Sequence, residues 1–300
     1  MSISTVTIPG TPPIDLAFER FGNPTDPAAL LIMGAGAQMI SWPLDLCRQL
    51  ADTGLQVIRF DNRDSGLSTH LDDAPVPDFP SVLAGDFSQV TYTLSDMAAD
   101  TIGLADALGL KKIHLVGASM GGMIAQTVAI EYPDRTRSLT SMMSSTGAPN
   151  VGLPDFSVLS KLGSPPLEDR QAYIEWRVRS LKAIGSPGYP FDETSVAENA
   201  GLAWDRDHDP HGIIRQTTGV IKSGDRTEKL KKLLLPTLVI HGDADKMIDV
   251  SGGQATAAAI PNSELHIFPG MGHGFPQPLW KEMAQLIAAH IHRAEKQDQP

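Results

Sequence analysis

Five residues, Gly117-Ala118-Ser119-Met120-Gly121, leave the chain few ways to fold. They follow the apolar run Lys112-Ile113-His114-Leu115-Val116 and precede Gly122 to Ile130, whose texture is helical. The pattern predicts a buried strand that bends sharply into a helix with a serine at the bend. Glycine two residues before and two after Ser119 suits such a bend, because a Cβ at either place would collide with the neighbouring strand or helix. The strained turn exposes the serine hydroxyl. The helix that follows directs its dipole and its free N–H groups at the same point, which favours negative charge there. Ser119 is therefore a candidate nucleophile, and the charge in question is that of an oxyanion.

Strands and helices alternate through much of the remaining chain. Thr5-Val6-Thr7-Ile8 and Ile14 to Arg20 read as a hairpin around Gly10-Thr11-Pro12-Pro13. Ala28-Ala29-Leu30-Leu31-Ile32 is continuously apolar, as in a parallel-sheet strand covered on both faces. It runs into Met33-Gly34-Ala35-Gly36-Ala37, small residues that let backbone approach a ligand closely. A helix is predicted over 42–53 and a strand over 55–60. The polar turn that follows, Asp61 to Ser68, is expected to satisfy itself through internal hydrogen bonds and an Arg63–Asp pair. Residues 72–90, rich in proline and aspartate, read as a surface excursion. Helical spacing over 93–108 leads to the elbow strand, and 136–143 reads as the next strand.

From about 147 to 230 the texture changes, with recurrent prolines and helical segments near 167–184, 193–205 and 210–223. This stretch is expected to be a helical cap inserted into a core made of residues 1–146 and 231–300. Its aromatics Tyr173, Trp176, Tyr189 and Trp204 would either line an apolar binding surface or pack the cap's own small core. Strands at 236–241 and 263–268 and a helix over 278–293 complete the chain.

Composition removes several classes of function. A formal net charge of −11 repels phosphate backbones, and no basic cluster with interleaved aromatics is present, so no nucleic-acid partner is expected. Lys229-Leu230-Lys231-Lys232 reads as a solvated helix end. No segment approaches the roughly 18 apolar residues of a membrane span. The first residues carry neither a basic region nor a long apolar core, so cytoplasmic residence is the expectation. Cys47 is the one cysteine, which excludes an intramolecular disulfide, and its amphipathic surroundings read as packing.

A parallel sheet binds ligands at the carboxyl ends of its strands, so further chemical groups should follow strands. Two turns qualify: Gly242-Asp243-Ala244-Asp245-Lys246-Met247-Ile248, and Pro269-Gly270-Met271-Gly272-His273-Gly274. With these, the order Ser, Asp, His and the layout of the whole chain resemble the α/β-hydrolase-fold enzymes that carry a helical cap. Met33-Gly34, Asp61-x-Arg63-Asp64-x-Gly66-x-Ser68 and Gly117-x-Ser119-Met120-Gly121 are similar in particular to the aclacinomycin methylesterase group, which hydrolyses a methyl ester on an aromatic polyketide glycoside.

The resemblance implies an α/β fold with a mostly parallel, predominantly eight-stranded sheet. It implies Ser119 as nucleophile, Asp245 as the acid and His273 as the base, with Asp243 a rival carboxylate that would instead cap its loop. The backbone N–H groups of Met120 and Ala35 match the two oxyanion donors. Met33-Gly34 stands where the commoner family dipeptide is His-Gly, which keeps the backbone donor and removes whatever the histidine bonded. The activity implied is cofactor-free and metal-free hydrolysis of a small-molecule carboxylic ester through an acyl-enzyme. Trp176 and Trp204 are the candidates for substrate contact. A serine nucleophile disfavours the aspartate-dependent dehalogenase and epoxide hydrolase branches. Two other readings stay open: a perhydrolase, in which peroxide replaces water, and a binding module that has lost turnover.

Overall fold

The computed structural model describes residues 3–297. Met1, Ser2 and residues 298–300, which the sequence reading assigned to the core, lie outside the described residues. The chain opens with a hairpin, β1 (Ser4–Ile8) and β2 (Ile14–Phe21), whose register pairs Ile8 with Ile14. Next come β3 (Ala28–Ile32), α1 (Leu44–Ala51), β4 (Gln56–Phe60), α2 (Phe79–Leu83), α3 (Leu94–Ala107), β5 (Ile113–Ala118), α4 (Met120–Glu131) and β6 (Thr136–Met142). Five helices follow without an intervening strand: α5 (Phe156–Leu159), α6 (Arg170–Ile184), α7 (Glu193–Arg206), α8 (Pro210–Ser223) and α9 (Thr227–Leu230). The chain ends with β7 (Thr237–Gly242), α10 (Ser251–Ala259), β8 (Glu264–Phe268) and α11 (Trp280–Gln297).

All eight strands form one sheet in the order β1-β2-β4-β3-β5-β6-β7-β8, parallel from β4 to β8, with β1 and β2 antiparallel at one edge. The apolar run of β3 is buried along its whole length. Alternation sends Leu30 and Ile32 into the cluster holding Met97 and Leu104 of α3 and Ile124 and Val128 of α4. Ala29 and Leu31 go to the other face, with Leu46 and Leu50 of α1 and Ile287 and Ile291 of α11. Helices cover both sides, which is why β3 reads as an unbroken hydrophobic run. Cys47 lies in this second cluster, and burial pushes its thiol up to about 12.

The start of α1 and two helices stand out against expectation. α1 starts at Leu44 instead of 42 because Trp42 precedes Pro43 and is held extended, at φ −72° and ψ 114°. The excursion at 72–90 contains α2, capped by the Asp78 side chain and packed on α8; five residues are too few to display a period. α10, Ser-Gly-Gly-Gln-Ala-Thr-Ala-Ala-Ala, has no large apolar side chain to reveal a stripe.

Candidate active site

Leaving β3, the chain pairs β4 on one side of it, then returns to pair β5 on the other. Such a reversal opens a crevice at the carboxyl ends of the two strands. Gly34 follows β3 and Ser119 follows β5, so the two loops meet at this crevice. A Cβ on Gly34 would lie 3.0 Å from Ser119 Cβ and 3.3 Å from its Oγ, so the backbone of one loop runs directly against the serine of the other.

Ser119 occupies φ 58° and ψ −125°, a conformation that costs a non-glycine residue roughly 1–3 kcal/mol. Its surroundings enforce it. The Ser119 N–H donates to the Met142 carbonyl at 2.9 Å, and its own carbonyl accepts from Ser144 Oγ at 2.8 Å and from the Gly122 N–H at 2.9 Å. A Cβ on Gly117 would fall 2.1 Å from the Gly121 carbonyl oxygen, and one on Gly121 2.0 Å from that of Ile32. Both flanking glycines are thus required by backbone packing. Met120 is the first residue of α4, where helix N–H groups lack intrahelical acceptors.

In the facing loop the Ala37 N–H donates to the Gly34 carbonyl at 3.3 Å and Gly36 takes φ 63°, which makes 34–37 a tight turn. The Gly36 N–H donates to Gln216 Oε1 at 2.8 Å. Among the described residues, the amides of Ala35 and Met120 have no protein acceptor. Met33 is buried in the apolar cluster with Trp42, and its carbonyl accepts from Asn62 Nδ2 at 3.0 Å. Apolar packing therefore occupies the place of the commoner histidine.

Asp245 follows β7 and His273 follows β8. His273 Nδ1 lies 2.7 Å from Asp245 Oδ2, and the other carboxylate oxygen accepts the N–H groups of Met247 at 2.8 Å and Ile248 at 3.0 Å. A carboxylate so placed accepts a hydrogen bond from the Nδ1–H of a neutral ring, leaving Nε2 as the basic nitrogen. Asp243 instead accepts the Gly270 N–H at 2.6 Å, tying the two turns together. Among the described residues, no hydrogen bond joins Ser119 Oγ to the His273 ring, a looseness common before substrate closes a site. A further histidine, unforeseen from the sequence, stands behind the acid: His241 Nε2 donates to the Ile248 carbonyl at 2.9 Å, and burial lowers its pKa.

The turn bearing His273 is gripped by the end of α6. Its N–H donates to the Ile184 carbonyl at 2.8 Å, the Gly272 N–H donates to Ser186 Oγ at 2.9 Å, and the Gly188 N–H donates to the Gly270 carbonyl at 2.9 Å. Tyr189 adds a hydroxyl donated to the Pro269 carbonyl at 3.0 Å.

The sequence pattern of the α/β-hydrolase fold family matches residues 28–276, a span holding all of these groups. The chain belongs to that family. This α/β-hydrolase is 28% identical over 307 residues to the rhodomycin D methylesterase DauP of Streptomyces sp. (strain C5), covering 94% of this chain and 96% of the relative. The 2-hydroxy-6-oxo-6-phenylhexa-2,4-dienoate hydrolase of Burkholderia cepacia is 29% identical but aligns over 57% of this chain and 59% of its own length. Among solved structures, a bromoperoxidase from Bacillus anthracis superposes with a TM-score of 0.75 at 24% identity, covering 97% of this chain and all (100%) of that one. The methylesterase match agrees with the resemblance carried by Met33-Gly34, the Asp61–Ser68 turn and the serine turn.

The turn after β4 in this α/β-hydrolase departs from expectation. Arg63 pairs with neither aspartate of its own turn but with Asp100 on α3, at 2.6 and 2.7 Å. Asp61 and Asp64 instead receive Arg206 and Arg215 from the helical insert, the second through bonds of 2.7 and 2.9 Å. Burial raises the pKa of Asp61, and the Arg206 guanidinium opposes that shift. Asp64, His70 and Asp209 bring possible metal ligands within 4.8 Å of one another. The positive charge between those carboxylates is the Arg215 guanidinium, which also lies 3.2 Å from Asp209. Tyr173, Trp176 and Trp204 form one aromatic group, with Tyr173 centroids 5.9 Å from Trp176 and 5.1 Å from Trp204. Trp204 also stacks on His208 at 4.1 Å, and Trp176 Nε1 donates to the Leu162 carbonyl at 2.8 Å. No helix of the described residues is long and apolar enough to cross a membrane.

Proposed function

We propose that this α/β-hydrolase is a serine carboxylic-ester hydrolase. Ser119 attacks the ester carbonyl while His273 takes its proton, the Ala35 and Met120 N–H groups receive the oxyanion, and Asp245 holds the imidazole and stabilises it when charged. His273 then protonates the departing alcohol and activates the water that releases the acid. The observation that carries the reading is the strained Ser119 beside two unclaimed backbone amides, with a carboxylate-bound histidine in the turn after a later strand, at the same carboxyl end of the sheet. Residues 147–230 would act as the cap that selects the ester, with Trp176 and Trp204 among its contacts.

The full-length match to a rhodomycin D methylesterase supports a methyl ester of an aromatic polyketide as the first substrate to try. The test is turnover of p-nitrophenyl and methyl esters of graded size, with labelling by a fluorophosphonate. Ser119→Ala should abolish both, turnover falling by about six orders of magnitude, the scale for loss of such a nucleophile. Persistent esterase activity in a clean Ser119→Ala preparation refutes the assignment.

A further inference from the structure

Gln216 sits in the middle of α8 with no exposed surface, at a position where an apolar side chain would avoid any desolvation cost. Its amide is engaged at both ends with backbone of the two loops that end β3 and β4. Oε1 accepts the Gly36 N–H at 2.8 Å, and Nε2 donates to the Arg63 carbonyl at 2.7 Å. An N–H can only donate and a carbonyl only accept, so these partners fix the amide in one orientation. One turn earlier on α8, Ile213 rests on the same glycine: a Cβ on Gly36 would lie 2.6 Å from Ile213 Cδ1. Arg215, next to Gln216, is locked onto Asp64. α8 therefore reaches the serine-facing loop through a rigid, hydrogen-bonded bridge.

The position of that bridge bears on Ala35. Its N–H belongs to the peptide between Gly34 and Ala35, bounded by the Ala37-to-Gly34 bond on one side and by the Gly36 amide on the other. While Gln216 holds the Gly36 N–H, the turn cannot rotate to present Gly36 in place of Ala35. We infer that Gln216 is a positioning residue for the reaction: by claiming the Gly36 amide it aims the Ala35 N–H at the oxyanion, so docking of the helical insert sets the donor. The inference rests on the proposed serine-hydrolase function.

Gln216→Met removes both bonds at similar volume, whereas Gln216→Glu keeps an acceptor for Gly36. The assay compares p-nitrophenyl acetate with its thiono analogue, in which sulfur replaces the carbonyl oxygen and binds N–H donors more weakly. Gln216→Met should lower kcat for the oxygen ester by about tenfold to a hundredfold, the scale of a misplaced catalytic contact, with little change in KM. The oxygen-to-sulfur rate ratio should fall several-fold with it, and Gln216→Glu should keep a near-parental ratio. A role in folding alone would lower the thermal midpoint and the fraction of labelled Ser119 and leave the ratio per active site unchanged.

If Gln216→Met does not fold, Gln216→Asn, which is too short to span both loops, carries the same comparison. A folded Met or Asn variant with parental kcat and ratio, or with both substrates slowed equally, overturns the inference, as does a Glu variant that loses the ratio like Met. A parent enzyme that turns over neither ester and is not labelled at Ser119 defeats the proposed function as well; an active parent with an unaffected Gln216→Met defeats this inference alone.

Discussion

Proline at position 35 would isolate one hydrogen bond with little else disturbed. Ala35 is the second residue of the turn closed by the Ala37-to-Gly34 bond, the position at which proline is favoured because its fixed φ matches the turn. The preceding residue, Gly34, is the one best able to accept the restriction that a following proline imposes. Ala35→Pro should therefore keep the turn and delete only the N–H. Losing one oxyanion donor costs about 10²–10³ in kcat, or about 2.7–4 kcal/mol at the barrier. Gly36 cannot substitute, since its amide is held by Gln216. The measurements are kcat for p-nitrophenyl acetate per titrated active site, the thermal midpoint, and the rate of phosphonylation of Ser119, which should also slow because charge develops on oxygen there too. Ala35→Gly, which retains the N–H, should keep most of the activity. A well-folded Ala35→Pro enzyme with near-parental kcat would show that the second donor lies elsewhere in the site.

Asp245→Asn should lower kcat by about 10⁴, as an amide favours the wrong imidazole tautomer, while Asp243→Asn, which only loosens the bond to Gly270, should cost far less; steady-state kinetics giving the opposite ranking would exchange their roles. Trp176→Ala and Trp204→Ala should change the preference among esters of graded size more than they change hydrolysis of the smallest; a uniform loss with a lowered thermal midpoint would mark the aromatic group as packing. Burial lowers His114 and His290 to about 4, so both stay neutral in the folded chain while the unfolded chain protonates them near 6.5. The unfolded state then binds more protons, and stability should fall as pH drops from about 6.5 toward 4, by at most about 3 kcal/mol for each ring. Urea midpoints that stay level across that range, or that His290→Leu leaves equally steep, would contradict this.

What could be read from the sequence was local. The serine turn declares itself because strand, glycines and helix occupy consecutive residues and each is needed by its neighbour: Gly117 abuts Gly121, and Gly121 abuts Ile32. β3 was legible because burial on both faces leaves an unbroken apolar run. The turn after β4 was misjudged for the opposite reason. Arg63 and Asp64 stand side by side, yet each is paired with a residue on another helix, and nothing along the chain links Asp64 to Arg215 across 151 positions. Gln216 left no trace at all, since both its partners are backbone atoms, which carry no side-chain identity to recognise. α10 escaped because close packing there calls for small residues: a Cβ on Gly252 would lie 2.7 Å from the Ser144 carbonyl oxygen, and one on Gly253 2.5 Å from His241 Nδ1.

The grip of the α6 end on the His273 turn limits how such an enzyme can change its substrates. If residues 147–230 select the ester, as proposed, exchanging them for the corresponding stretch of a relative should change the ester range, but residues 184–188 of that stretch also supply the carbonyl, hydroxyl and amide that hold the His273 turn in place. A Cβ on Gly272 would lie 2.0 Å from the Gly185 carbonyl oxygen, so the two backbones fit with no slack. A chimaera that imports a foreign sequence there would recognise its new ester and turn it over slowly, whereas one that grafts only 190–209, sparing Tyr189 and its bond to Pro269, should inherit selectivity and rate together. On the proposed function, a change toward new esters would accordingly run through α7 and its flanks, with the α6 terminus kept as it is because it holds the His273 turn.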